Sequence, residues 1–174
     1  MPGPQDGDLR TLEGVDWTPV SEKLIPARLV GEAIGAVVFL AIVSVPLVLV
    51  LTGVWPAYPA WLAWGLPAVV LAWSLVDILL VPRRVRAIGY AEREDDFLVK
   101  SGLFFRRVLA VPYGRLQYLD VKEGPVQRHF GIRTLELQTA SASTNATLPG
   151  IPVEDSERLR DQLMARGQAR LAGL

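Results

Sequence analysis

At 174 residues, half of them hydrophobic and none of them cysteine, the chain has room for one compact domain plus apolar sequence outside its core. The lack of cysteine excludes a disulfide-stapled secreted fold. Lysine plus arginine balance aspartate plus glutamate at 18 each, so net charge points to no class of partner and only its distribution is informative.

In chain order, residues 1–16 are acidic and polar, with Pro2, Gly3, Pro4 and Gly7. They read as a mobile tail and lack the basic start and short apolar stretch of a signal peptide. Residues 17–82 read as a membrane region. It opens with WTPVSEKLIPARL, where Trp17, Val20 and Leu24 are mixed with charges; such a segment can lie in the membrane interface, with Pro19 and Pro26 keeping any helix short. The 44 positions from Ala33 to Val76 hold no charged residue and no histidine, whereas one bilayer crossing needs only about 20 apolar residues. That length fits two crossings, near 30–51 and 61–81, with a reversal at Thr52-Gly53-Val54-Trp55-Pro56-Ala57-Tyr58-Pro59.

Thirteen strongly apolar side chains between Ala33 and Leu51, at about −0.3 to −0.6 kcal/mol each, favour insertion by about 4 to 8 kcal/mol. In the second span Asp77 falls near the end, where a carboxylate costs less than at mid-membrane. The competing reading, the buried core of a soluble helical protein, calls for polar faces that these runs largely lack. Lys23 and Arg28 precede the first span and Arg83, Arg84 and Arg86 follow the second, while the reversal is uncharged. Both termini are therefore expected in the cytoplasm, with the chain multi-pass in the cell membrane. Trp55, Tyr58, Trp61 and Trp64 suit the opposite boundary. Gly31 and Gly35 are spaced as GxxxG, which permits close helix contact but also arises by chance in apolar helices.

From residue 83 to 174 the pattern changes to period two. Arg84 to Tyr90, Phe97 to Ser101, Arg107 to Pro112, Leu116 to Glu123, Arg133 to Ala140 and Thr144 to Leu148 each read as a short strand between turn residues. Leu135 and Leu137 alternate with Thr134, Glu136 and Gln138, as a sheet with one buried and one wet face requires. Pro149-Gly150-Ile151-Pro152 reads as the end of the strands. From Val153 the pattern is helical: Glu154, Asp155 and Glu157 suit the positive end of the macrodipole, Arg166 and Arg170 lie towards the other end, and Leu159 and Leu163 share a face.

The order of these features carries a resemblance. Two spans, the basic stretch VPRRVRAIGYAERED, the hairpin SGLFFRR, the segment VPYGRLQYLDVKEGPVQRHFG and a terminal amphipathic helix are similar to the bacterial pleckstrin-homology (PH-like) membrane protein family of the YdbS type. The likeness covers roughly Trp17 to Arg170. It implies a membrane α-helical hairpin joined to an α+β, mainly β PH-like domain: about seven antiparallel strands forming a small barrel, capped by the C-terminal helix, at the cytoplasmic face. It implies no catalytic residue and no ligand.

Candidates for chemistry are few. His129 is the single histidine and lies in the connection between Gly124-Pro125 and Gly131. A general base needs a reacting group within about 3 Å, which sequence does not supply, so a structural or surface role is the simpler reading. Without cysteine or a second histidine the usual transition-metal sets are missing. Glu92, Glu94, Asp95 and Asp96 read as a solvated turn rather than a metal site. Asn145-Ala146-Thr147 matches a glycosylation sequon, which a cytoplasmic position makes irrelevant. TASASTN lacks the GxSxG context of a nucleophile, and no GxxxxGK loop occurs. No catalytic, metal or cofactor site is expected, and the chain reads as no enzyme.

Charge supplies the positive signal. Between Arg83 and Arg133 there are eleven basic and six acidic residues. Cations at an anionic membrane surface gain about 1 kcal/mol each. Arg83, Arg84, Arg86, Arg106, Arg107, Arg128 and Arg133 are thus the candidate ligand or lipid contacts. The plainer readings stay open: topology alone for Arg83, Arg84 and Arg86, and surface solubility for Arg106, Arg107, Arg128 and Arg133. Nucleic acid is not expected, because stacking aromatics in a basic groove are not evident; Phe104 and Phe105 at a hairpin tip suit membrane contact or the core. Two functions follow. The favoured one is an interaction module that holds a protein partner or assembles with itself; the second is an anionic-lipid headgroup sensor.

Overall fold

The computed structural model describes residues 15–140 and 144–171. Most of the expected tail, and positions 141–143 of the Ser/Thr-rich stretch, lie outside them. The chain divides into two compact units: Ile25–Pro82, which is helical, and a unit formed by the segment up to Leu24 together with the chain from Arg83 onward.

The helical unit begins on helix α1 (Leu24–Val43), continues in α2 (Val45–Leu51) and returns in α3 (Ala60–Arg86). The break at Ser44 precedes Pro46, which has no amide for the carbonyl one turn earlier and crowds that turn. Between α2 and α3, Gly53 takes φ +75° and Trp55 stacks on Tyr58 at 6.0 Å, closing the reversal. Val37, Ile42, Val69, Trp73 and Leu79 are each more than three-fifths exposed, and only 6% of either bilayer-length window is buried. A soluble core would bury these side chains, so that reading fails. Both helices are long and apolar enough to cross a membrane.

α3 runs to Arg86, which corrects the strand reading of Arg84 to Tyr90. Val81, Val85 and Ile88 recur at helical spacing and are all buried, whereas a strand would have separated Val85 and Ile88 onto opposite faces. Arg83, Arg84 and Arg86 instead fill the last turn of α3, where cations complement the exposed carbonyls.

Seven antiparallel strands in two sheets make up the second unit, with a C-terminal helix. The first sheet has the order β1 (Thr18–Pro19), β2 (Gly89–Glu92), β3 (Asp96–Ser101), β4 (Arg107–Pro112). A 3-10 turn, Tyr113–Arg115, leads to the second: β5 (Leu116–Lys122), β6 (Ile132–Thr139), β7 (Ala146–Pro152). Helix α4 (Pro125–Phe130) connects β5 to β6, and α5 (Val153–Leu171) follows β7.

Two further expectations change. WTPVSEKL is part of the β unit rather than an interfacial segment: Thr18 pairs with Tyr90 and Pro19 with Gly89, and the Ser21 amide donates to the Gly150 carbonyl at 2.9 Å. Leu24 lies so close to Gly150 that a Cβ there would sit 2.8 Å from its side chain. The strands also do not stop at Pro149, since β7 continues to Pro152. It is an outer strand, where a residue without an amide is tolerated, and the register shifts at Arg133/Thr134 opposite Gly150 at φ +78°.

Phe97, Leu98, Ile132, Leu135, Leu137 and Leu148 are buried core side chains of the two sheets, each at 2% exposure or less. Leu159 and Leu163 of α5 are fully buried with them, and each such side chain is worth about 1.5–3 kcal/mol of transfer free energy. α5 packs against the 3-10 turn at Gly167, where a Cβ would lie 3.4 Å from the Tyr113 carbonyl oxygen, an ordinary van der Waals contact.

Candidate functional site

The β3–β4 hairpin pairs Ser101 with Arg107 and loops through residues 102–106. Gly102 takes φ +102°, and a Cβ on it would fall 1.9 Å from the Phe105 carbonyl oxygen, so the turn can close only on glycine. That closure pushes Phe104 and Phe105 outward, at 78% and 91% exposure. They are not core residues. Arg106 and Arg107 beside them are exposed, and their side chains have no hydrogen bond or ion pair among the described residues.

Below the tip is a cleft of about 530 Å³, lined by Trp17, Arg86, Lys100, Leu103, Arg106 and Val108 among others. Its walls come from separate parts of the chain: the segment ahead of α1, the end of α3, β3 and the hairpin. Lys100 lies with its Nζ 4.6 Å from the centre of the Trp17 ring, a cation–π contact. Gly89 makes this possible. It sits opposite Lys100 in the sheet, and a Cβ there would come 2.9 Å from the lysine Cε and 3.1 Å from the Thr18 carbonyl oxygen. Arg86 meets Glu22 at 3.6 Å, with both side chains more than two-thirds exposed. An ion pair of that kind contributes little and leaves the guanidinium open to another anion.

Of the arginines marked by sequence, the structure brings Arg86 and Arg106 into one cleft and places Arg107 next to it. Arg83 and Arg84 stay on the last turn of α3. Arg128 and Arg133 lie elsewhere: both donate to Glu123, at 2.8 and 2.9 Å, and Arg133 also reaches Ser156 at 3.2 Å and Glu157 at 3.1 Å. The Arg128 and then the Arg133 hydrogen bond hold the Glu123 carboxyl below the usual carboxylate value. This network joins the end of β5, α4, β6 and the start of α5. Sequence reasoning missed Lys100 and Trp17, whose signal is faint: a lysine ending an apolar strand opposite a glycine.

The remaining candidates have structural work. His129 is exposed and edge-on to Phe130 at 5.1 Å. Gln127 accepts the Gly124 amide at 3.0 Å and donates to Thr134 at 2.9 Å, and Gly131 ends α4 at φ +65°. In the acidic run Glu92 pairs with Arg166 at 3.3 Å and Asp96 with Arg93 at 3.6 Å. Among the described residues no three acidic or imidazole groups converge as metal ligands would. Arg166 also donates to the buried Tyr113 hydroxyl at 3.0 Å, while burial pushes that phenol up from its ordinary value. The Asn145 side chain accepts the Thr139 amide at 2.9 Å, which gives the sequon asparagine a role in the turn.

Comparison with known proteins decides the family. The family described as "Bacterial PH domain" matches residues 25–167, the greater part of the chain. The chain belongs to the bacterial PH domain family. The chain is also 30% identical over 107 residues to the UPF0699 transmembrane protein YdbS of Bacillus subtilis (strain 168), covering 61% of this chain and 66% of that one. It is 28% identical over 87 residues to the UPF0699 transmembrane protein YdbT of the same organism, covering 49% of this chain and 18% of that one. The alignments thus span just under two-thirds of one relative and under one-fifth of the other. No solved structure matches. Bilayer-length helices and transmembrane relatives together make this PH-domain protein membrane-associated.

Proposed function

We propose that this protein is a membrane-anchored, non-catalytic PH-domain module whose β3–β4 hairpin holds the anionic surface of the leaflet beside its anchor. One observation carries the reading: two almost fully exposed phenylalanines, Phe104 and Phe105, project at a turn immediately followed by the unpaired Arg106 and Arg107. Aromatic rings enter the headgroup layer while neighbouring cations gain about 1 kcal/mol each from its negative potential. Sequence alone favoured a protein partner; this geometry favours lipid. Topology supports the placement, because pairing of β1 with β2 keeps the segments flanking the two apolar helices together, on one side of a membrane crossed twice. The basic flanks Lys23, Arg28, Arg83, Arg84 and Arg86 make that side cytoplasmic.

A depth measurement tests it. The chain has no cysteine, so Phe105→Cys gives a single labelling site for a nitroxide in the full-length protein. In vesicles of phosphatidylcholine with phosphatidylglycerol, the label is expected to be reached by oxygen from the bilayer more readily than by an aqueous nickel chelate. A label that stays fully aqueous refutes the reading.

A further inference from the structure

Resting on this leaflet reading, we propose that the cleft beneath the hairpin takes one phosphomonoester, presented as a lipid headgroup. Arg86, Lys100 and Arg106 reach it from the end of α3, from β3 and from the loop, so three cations face one concavity. Glu22, against Arg86 at 3.6 Å, is the one carboxylate paired with any of them among the described residues. That leaves an excess of two positive charges. A phosphodiester headgroup such as phosphatidylglycerol brings a single negative charge, whereas a phosphomonoester carries about −1.5 to −2 near neutral pH and matches the excess. At about 530 Å³ the cleft falls within the size range of small-ligand sites.

The wall chemistry fits the same ligand. Arginine offers planar N–H forks and lysine a point charge, the two usual ways of holding phosphate oxygens. Leu103, Val108 and the Trp17 ring supply apolar surface for the carbon skeleton behind the phosphate. Lys100 is held over Trp17 before any ligand arrives, which lowers the entropy lost on binding. Phe104 and Phe105, adjoining Leu103 and Arg106, put the mouth at headgroup depth if the tip enters the leaflet.

Native mass spectrometry of the full-length protein tests this, with phosphatidic acid, phosphatidylglycerol and phosphatidylcholine supplied in equal amounts in detergent. The wild type is expected to retain phosphatidic acid about fivefold over phosphatidylglycerol. Lys100→Gln and Arg106→Gln should each reduce that retention by about fivefold, while Arg128→Gln, outside the cleft, leaves it unchanged. Equal retention of the two anionic lipids overturns the proposal, as does a preference that survives the double Lys100→Gln/Arg106→Gln substitution. Millimolar inorganic phosphate separates the sources: displacement of the lipid makes free phosphate the competent ligand, and no displacement makes the lipid itself the ligand. The nitroxide at position 105 distinguishes the two levels of failure. A cleft without preference but with the label still in the bilayer sinks only the headgroup site, whereas an aqueous label sinks the leaflet reading.

Discussion

Lys100 carries its ammonium 4.6 Å from the centre of the Trp17 indole, although both apolar helices intervene between these residues in the sequence. The contact depends on Gly89, over which the lysine stem passes. Gly89→Ala is therefore expected to destabilise the β unit by about 1–3 kcal/mol, the usual cost of overpacking. Amide exchange should quicken across Trp17–Val20 in the full-length protein, because the flexible lysine can give way but the Thr18 backbone cannot. Unchanged exchange there would show that the first strand does not depend on this glycine.

The exposed tip makes the opposite prediction. Replacing Phe104 and Phe105 together by serine removes no core contact, so thermal stability should change by less than about 0.5 kcal/mol. A nitroxide introduced at Arg106→Cys in that background should move from the bilayer into water. A large fall in melting temperature would mean that the rings pack in a way their exposure does not indicate.

Glu123 gives a pH dependence with a definite sign. Its folded-state value lies below the unfolded value of about 4.3, through Arg128 first and Arg133 second. The stabilisation is present in full above the unfolded value and is lost as pH falls through the lower folded one. Glu123→Gln should therefore be less stable than wild type at pH 7, and the two stabilities should converge in acid. Denaturation measured between pH 7 and 3 checks this; parallel curves would count against it.

Leu163 is fully buried on α5, and truncation to alanine should cost about 2–5 kcal/mol, depending on how far the cavity collapses. Chemical denaturation reads this directly. A loss under about 1 kcal/mol would mean that α5 is not integral to the core.

Much of the β unit was legible because alternation is strong where one face is buried: β3, β4, β5 and β6 lie close to where period two places them. α5 was legible from its acidic first turn and its leucine pair. The misreadings have a common cause, since they fall where a short segment satisfies two periods at once. Arg84-Val85-Arg86 alternates like a strand, but Val81, Val85 and Ile88 also mark a helical stripe, and continuation of α3 decided between them. The two-residue β1 is too short for any period to register. The cleft was only half legible: Arg86 and Arg106 stand out as charges, but their meeting with Lys100 and Trp17 depends on a pairing between segments separated by both apolar helices.

Pairing of β1 with β2 also orders events during biosynthesis. The ribosome releases Thr18 and Pro19 first, but their partner emerges only after the whole hydrophobic hairpin, so the first sheet cannot be completed until that hairpin has been synthesised. With two crossings, an insertion error that left one helix out would strand β1 and β2 in different compartments. A chain in that state would leave β2 without its outer partner at the edge of the first sheet.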